Sequence, residues 1–142
     1  MSRAGAIVLT VWAAFNLALA VTILVAICFF QQNAPALSIL FDDAAVRLLD
    51  NRALATINAL ALIFNACAAA FCLLSLVVIW KGLVKKSRWA FWGLLSSMSV
   101  LQVAGFASDA FLDSKNLSAN ILSTALLVIG FGLSAHGFQQ ET

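Results

Sequence analysis

The sequence predicts an all-α integral membrane protein: a four-helix bundle with a short amphipathic surface helix between its first and second spans. Three observations carry that expectation. Four stretches lack Asp, Glu, Lys and Arg altogether, namely Ala4–Phe41, Ala53–Trp80, Trp89–Ser108 and Asn116–Gln140. Each has room for the roughly 20 apolar residues that cross a bilayer's hydrocarbon core. Runs apolar on every face can satisfy their backbone in lipid only as helices. The composition agrees, with 63% apolar and 10% charged residues, against roughly one half and one quarter in soluble domains. The expected organisation is a single transmembrane domain over residues 1–142. Its spans fall at about 4–31, 53–80, 89–111 and 117–138 and its surface helix at about 36–50.

The first span begins after Arg3 and could be mistaken for a signal peptide, with Ala34-Pro35-Ala36 as its small-residue cleavage site. Its apolar run is about twice the 7–15 residues of a signal h-region. A lipid-attachment site at Cys28 is disfavoured by Ile27, where a small residue belongs. The expectation is an uncleaved first helix.

Pro35 ends that helix and can open another, since proline is tolerated in a helix's first turn. Leu37, Leu40, Phe41, Ala44 and Leu48 then recur at helical spacing, with Asp43, Arg47 and Asp50 on another face. Asp43 and Arg47 are placed for an i,i+4 pair. This pattern suits a helix lying on the outer membrane surface or folding back over the bundle.

Orientation follows from the basic residues. Lys81, Lys85, Lys86 and Arg88 crowd the link between spans 2 and 3, and basic links stay in the cytoplasm. Both termini then face the cytoplasm too. That side carries five Lys/Arg and the acid Glu141. The other carries Arg47, Arg52 and Lys115 against Asp42, Asp43, Asp50, Asp109 and Asp113. Trp80, Trp89 and Trp92 flank the basic link as an interfacial aromatic belt. The link reads as a topology signal with general attraction to anionic lipid. A bacterial inner membrane is the expected location, and the bilayer is the first partner. A nucleic-acid binder needs a basic face in water, and none is expected here.

Polar residues inside the spans supply the candidate site. Asn51, Asn58, Asn65 and Cys72 recur at strict sevens in span 2, close to two helical turns, and so form a stripe. Ser99, Gln102 and Asp109 repeat the device in span 3, Asn16 lies within span 1, and Asn120 and Ser123 lie in span 4. An asparagine facing lipid leaves its amide without partners at a cost of a few kcal/mol, so these groups should turn inward. At about 1.5 Å per residue, Asn16, Asn65 and Gln102 fall near the midplane. Asn58, Ser108, Asp109 and Asn120 fall in the outer third, and the inner half is dry until His136. The expectation is an outward polar cup of Asn58, Asn65, Gln102, Asp109 and Asn120, either holding a ligand or serving as interhelical glue. Asp109 is the first candidate, because an ionisable group within a span is functional by default. A cap or a pairing with Lys115 at the water interface is the alternative.

Several chemistries find no support. Cys28, Cys67 and Cys72 make no Cys-x-x-Cys pair and no zinc spacing with His136, and read as small apolar fillers. Met98 lies too deep to join His136 on a heme. Intramembrane proteolysis would need a Ser/His, paired-Asp or His-Glu-x-x-His arrangement, and no such motif occurs. The one proline lies in a loop, whereas transporters interrupt their helices at the midplane. No cofactor or metal is expected, and the chain is not expected to be an enzyme.

Two readings remain. One is a non-catalytic subunit, assembly factor or scaffold packed against a membrane partner or a second copy of itself. The other is a binding or transport module for a small molecule or proton. Small residues at three- and four-residue steps, Ala55, Ala59, Ala66 and Ala70 in span 2 and Ala119, Ser123, Gly130, Ser134 and Gly137 in span 4, permit close helix approach inside the bundle or between subunits. In layout alone, the chain is similar to many small bacterial four-span proteins, DoxX-like ones among them. That similarity transfers no residues.

Overall fold

The computed structural model describes residues 3–29, 50–112 and 117–139, and these are helical almost throughout. Helix α1 runs Arg3–Phe29, α2 Asn51–Val78, α3 Arg88–Leu112 and α4 Leu117–Gln139. All four are long and apolar enough to cross a membrane. At 27 and 23 residues, α1 and α4 extend about 40 and 35 Å, beyond the roughly 30 Å hydrocarbon core. The surface helix expected over about 36–50 lies, but for Asp50, outside the described residues. Asp50 itself caps α2, its Oδ1 accepting a hydrogen bond from the Ala53 backbone N–H at 2.6 Å.

Helix α1 is the central element. It packs along both α2 and α4, while α3 rests on α4 and scarcely touches α2 beyond the turn that joins them. Among the described residues, the four helices are therefore left open along the α2–α3 seam. Its main core lies towards the end carrying the basic residues. Ala6, Leu9, Trp12 and Ala13 of α1 meet Ile79 and Leu83 of the turn, Leu94 and Met98 of α3, and Leu127 and Phe131 of α4. At the opposite end a smaller cluster joins only α1 and α2, through Ile23 and Ile27 against Ala61 and Leu62.

Small residues set the α1–α4 spacing. A Cβ on Gly5 would collide with the Ser134 hydroxyl and lie 2.8 Å from the Ser134 backbone nitrogen. One on Gly130 would lie 2.6 Å from Leu9 Cδ2. With little hydrophobic drive between helices in lipid, such close backbone approach supplies the attraction through van der Waals contact.

The sequence reading misses how α2 ends. Ile79–Leu83 widens into a π-helical turn, with the Val84 N–H donating to the Ile79 carbonyl at 3.0 Å. Ile79, Gly82 and Leu83 all face inward there, and a Cβ on Gly82 would lie 2.6 Å from Ala90 Cβ of α3. The chain then stops in a Schellman motif. Ser87 N–H donates to Gly82 O at 3.1 Å and Lys86 N–H to Leu83 O at 2.9 Å, with Lys86 left-handed at φ 61°. Glycine usually fills that position, because a Cβ there costs energy.

Four outcomes are expected for stability, measured by reversible unfolding in mixed micelles. Lys86→Gly should stabilise by about 0.5–1 kcal/mol, and Lys86→Val should destabilise. Gly5→Ala should cost about 1–3 kcal/mol, as overpacking does. Gly132→Ala, where a Cβ meets nothing within 4 Å, should cost nothing.

Candidate functional site

A lone tryptophan deep within α1 organises the polar interior. Trp12 is fully buried, away from the interfacial belt that tryptophans favour, so its indole N–H needs a partner. It donates to Ser123 Oγ of α4 at 2.7 Å. Asn16, one turn along α1, donates from Nδ2 to the Trp12 carbonyl at 2.9 Å and more loosely to the same Ser123 Oγ at 3.5 Å. The Ser123 hydroxyl in turn donates to Gln102 Oε1 of α3 at 3.0 Å. Gln102 Nε2 completes the chain by donating to the Asn120 carbonyl at 3.0 Å. That carbonyl also accepts from Thr124 Oγ1 at 2.7 Å.

The network ties three helices at one level. Ser123 accepts two hydrogen bonds and donates one, the full capacity of a hydroxyl. Gln102 is placed by α3 beside Gly105, where a Cβ would lie 3.2 Å from Asn120 Oδ1, so α3 and α4 approach closely at this depth. Of Asn16, Asn65 and Gln102, expected at one depth, Asn16 and Gln102 both bond to Ser123 and Asn65 bonds within its own helix.

The five expected cup residues are not gathered into one constellation. Gln102 and Asn120 share the network on α3 and α4. Asn65 of α2 is buried, but its Nδ2 donates to the Ala61 carbonyl of its own helix at 2.8 Å. Asn58 is half-buried, and its Oδ1 is a buried side-chain oxygen with no hydrogen-bond partner among the described residues. Asp109 belongs to α3, with its side chain outside the described residues. Among the described residues, no hydrogen bond links the α2 asparagines to α3 or α4.

The stripe of sevens explains part of this. A straight helix drifts about 20° per heptad relative to an exact seven-residue repeat, so such a stripe winds around the helix. Asn51 is exposed, Asn58 half-buried, and Asn65 and Cys72 buried. In α3, Ser99 is likewise exposed while Gln102 is buried. Cys28 and Cys67 are exposed and Cys72 is buried. Among the described residues, no group of three His, Cys, Asp or Glu is placed to hold a metal ion.

Ser123→Ala removes the acceptor for Trp12 and the donor to Gln102 at once. It should destabilise by about 1–3 kcal/mol, the cost of unsatisfied buried polar groups, whereas Ser99→Ala on the outer face should change nothing. Adding Trp12→Phe should cost little beyond Ser123→Ala alone, because the pair acts as a unit. Steric-trap unfolding of the four proteins in bicelles tests this, and additive losses would contradict the network. A comparison of the chain with known protein families, with curated proteins and with solved structures finds no match in any of the three.

Proposed function

We propose that this chain is a small non-catalytic integral membrane protein, a subunit, assembly factor or scaffold that packs against a partner within the bilayer. Its place in this reading is a bacterial inner membrane, with the basic link and both termini in the cytoplasm. One contrast supports it above all. The small residues of α4 are consumed internally, with Ser123, Gly130 and Ser134 buried. Those of α2 are not: Ala55, Ala59, Ala66 and Ala70 are all exposed. At about 100° per residue the four alanines span about 60° of arc, a narrow seam of the kind that lets a foreign helix approach closely. The saturated bonding of Ser123 also leaves the hydroxyl at the centre of the mid-depth network no capacity for a ligand.

A second reading, a binding or transport module for a small molecule or proton, draws on the buried Asn58 Oδ1, which has no partner among the described residues. Native mass spectrometry of protein extracted gently from its own membrane separates the two. The scaffold reading expects a stable complex with another membrane protein, disrupted by Ala59→Leu with Ala66→Leu and intact in Asp109→Asn. A chain free of protein partners, carrying a small adduct that Asp109→Asn removes, would replace it with the second reading.

A further inference from the structure

A cleft of about 270 Å³ opens at the basic end, between the first turn of α1 and the π-helical turn, lined by Arg3, Ala6, Ile7, Trp80 and Val84. Its walls are hydrocarbon and indole, and a single cation stands among them. The volume falls just under the roughly 300–1,000 Å³ of small-molecule sites, which suits part of one acyl chain rather than a compact polar ligand. Arg3 makes no ion pair among the described residues. The two acids among those residues, Asp50 and Asp109, belong to the opposite end of their helices. The surface around the cleft is instead strongly positive, with Lys81, Lys85, Lys86 and Arg88 all exposed.

We infer that this cleft is a binding site for an anionic phospholipid, with the phosphate on the Arg3 guanidinium and the upper part of one acyl chain against Ile7 and Val84. Charge selects the headgroup. The guanidinium fork matches phosphate geometry in a way an ammonium does not, and a zwitterionic headgroup would bring its own cation into an already positive surface. Trp80, 52% exposed, is an amphipathic ring of the kind that settles at headgroup level. It lines the cleft with Arg3, so one cation and one amphipathic ring share a lining that is otherwise hydrocarbon. The inference is independent of whether the α2 alanines meet a protein partner.

The test uses the full chain reconstituted in vesicles of equal parts phosphatidylglycerol and phosphatidylcholine, with retained lipid counted by native mass spectrometry. The wild type should retain phosphatidylglycerol in preference. Arg3→Gln should lower that retention about fivefold, what one cation near an anionic surface contributes. Val84→Trp, which fills the cleft and leaves every charge in place, should lower it at least as much. Far-UV circular dichroism shows whether each variant keeps its helices. Diffuse attraction predicts otherwise: Val84→Trp would behave as wild type, and Arg3→Gln and Lys85→Gln would lose retention equally. Either result overturns the site, and the second stands even if Val84→Trp fails to fold. Displacement of the lipid by glycerol phosphate, which has no acyl chain, would overturn it as well.

Discussion

The hydroxyl of Ser123 is the point on which the bundle's polar interior depends. In lipid an amide or indole without a partner has no water to turn to, so every polar side chain placed inside a span obliges the fold to supply another. Ser123 answers for three of them, accepting hydrogen bonds from Trp12 and Asn16 and donating one to Gln102. Individual interhelical hydrogen bonds in membranes contribute little, often under about 1 kcal/mol. Their joint effect here is to fix register. Sliding α4 by one residue along α1 would withdraw the hydroxyl from two helices together. Van der Waals contact at the Gly5–Ser134 and Leu9–Gly130 crossings supplies attraction, and the polar chain selects one alignment from the many that such smooth surfaces permit.

A consequence is that the four helices are not equivalent. Helices α1, α3 and α4 share the hydrogen-bonded network, whereas α2 is held by apolar contact with α1 and by the turn that leads into α3. That turn therefore carries an unusual share of the architecture. Its π-helical widening brings Ile79, Gly82 and Leu83 to the core together, and Gly82 lets Ala90 approach closely enough to close the seam at the basic end. A π turn departs from the regular i→i−4 ladder at an energetic cost, as does a left-handed lysine. Both costs fall where the chain must stop one span and begin the next with few residues between.

The spans and their boundaries were legible because they depend on one-dimensional quantities. Arg3, Arg52, Arg88 and Lys115 stand at the starts of charge-free runs, and the helices Arg3–Phe29, Asn51–Val78, Arg88–Leu112 and Leu117–Gln139 each begin within two residues of one of them. Hydropathy does not encode which faces meet. Asn16 and Gln102 can be set at one depth by counting residues, but nothing in the pattern marks Ser123 as the group that joins them. Trp12 was passed over, although a tryptophan ten residues into a charge-free run is itself a sign of a buried N–H seeking an acceptor. The cup read from Asn58, Asn65, Gln102, Asp109 and Asn120 rested on a seven-residue repeat treated as a straight stripe. Helical drift is enough to turn Asn51 outward while Asn65 turns in. The π turn and the lysine-terminated Schellman motif were not legible, since glycine at position 86 would have announced the second and no residue pattern announces the first.

Among the described residues, the seam between α2 and α3 is open. A soluble bundle would close such a gap to bury hydrocarbon, but in a bilayer lipid tails are as apolar as leucine and exert no comparable pressure. The seam can persist at no hydrophobic cost, and what decides its occupant is polarity and shape. Asn58 of α2 holds a buried oxygen without a partner among the described residues. Around the outer face of the same helix the alanine seam invites close backbone contact that lipid tails fill poorly. At the basic end, where the turn closes the gap, the exposed groups change to arginine, lysine and tryptophan, which lipid headgroups do satisfy. The chain thus presents the bilayer with two kinds of surface. On the readings proposed above, the one at the basic end suits an anionic headgroup, and the other, along the exposed alanines of α2, suits the flat face of another helix.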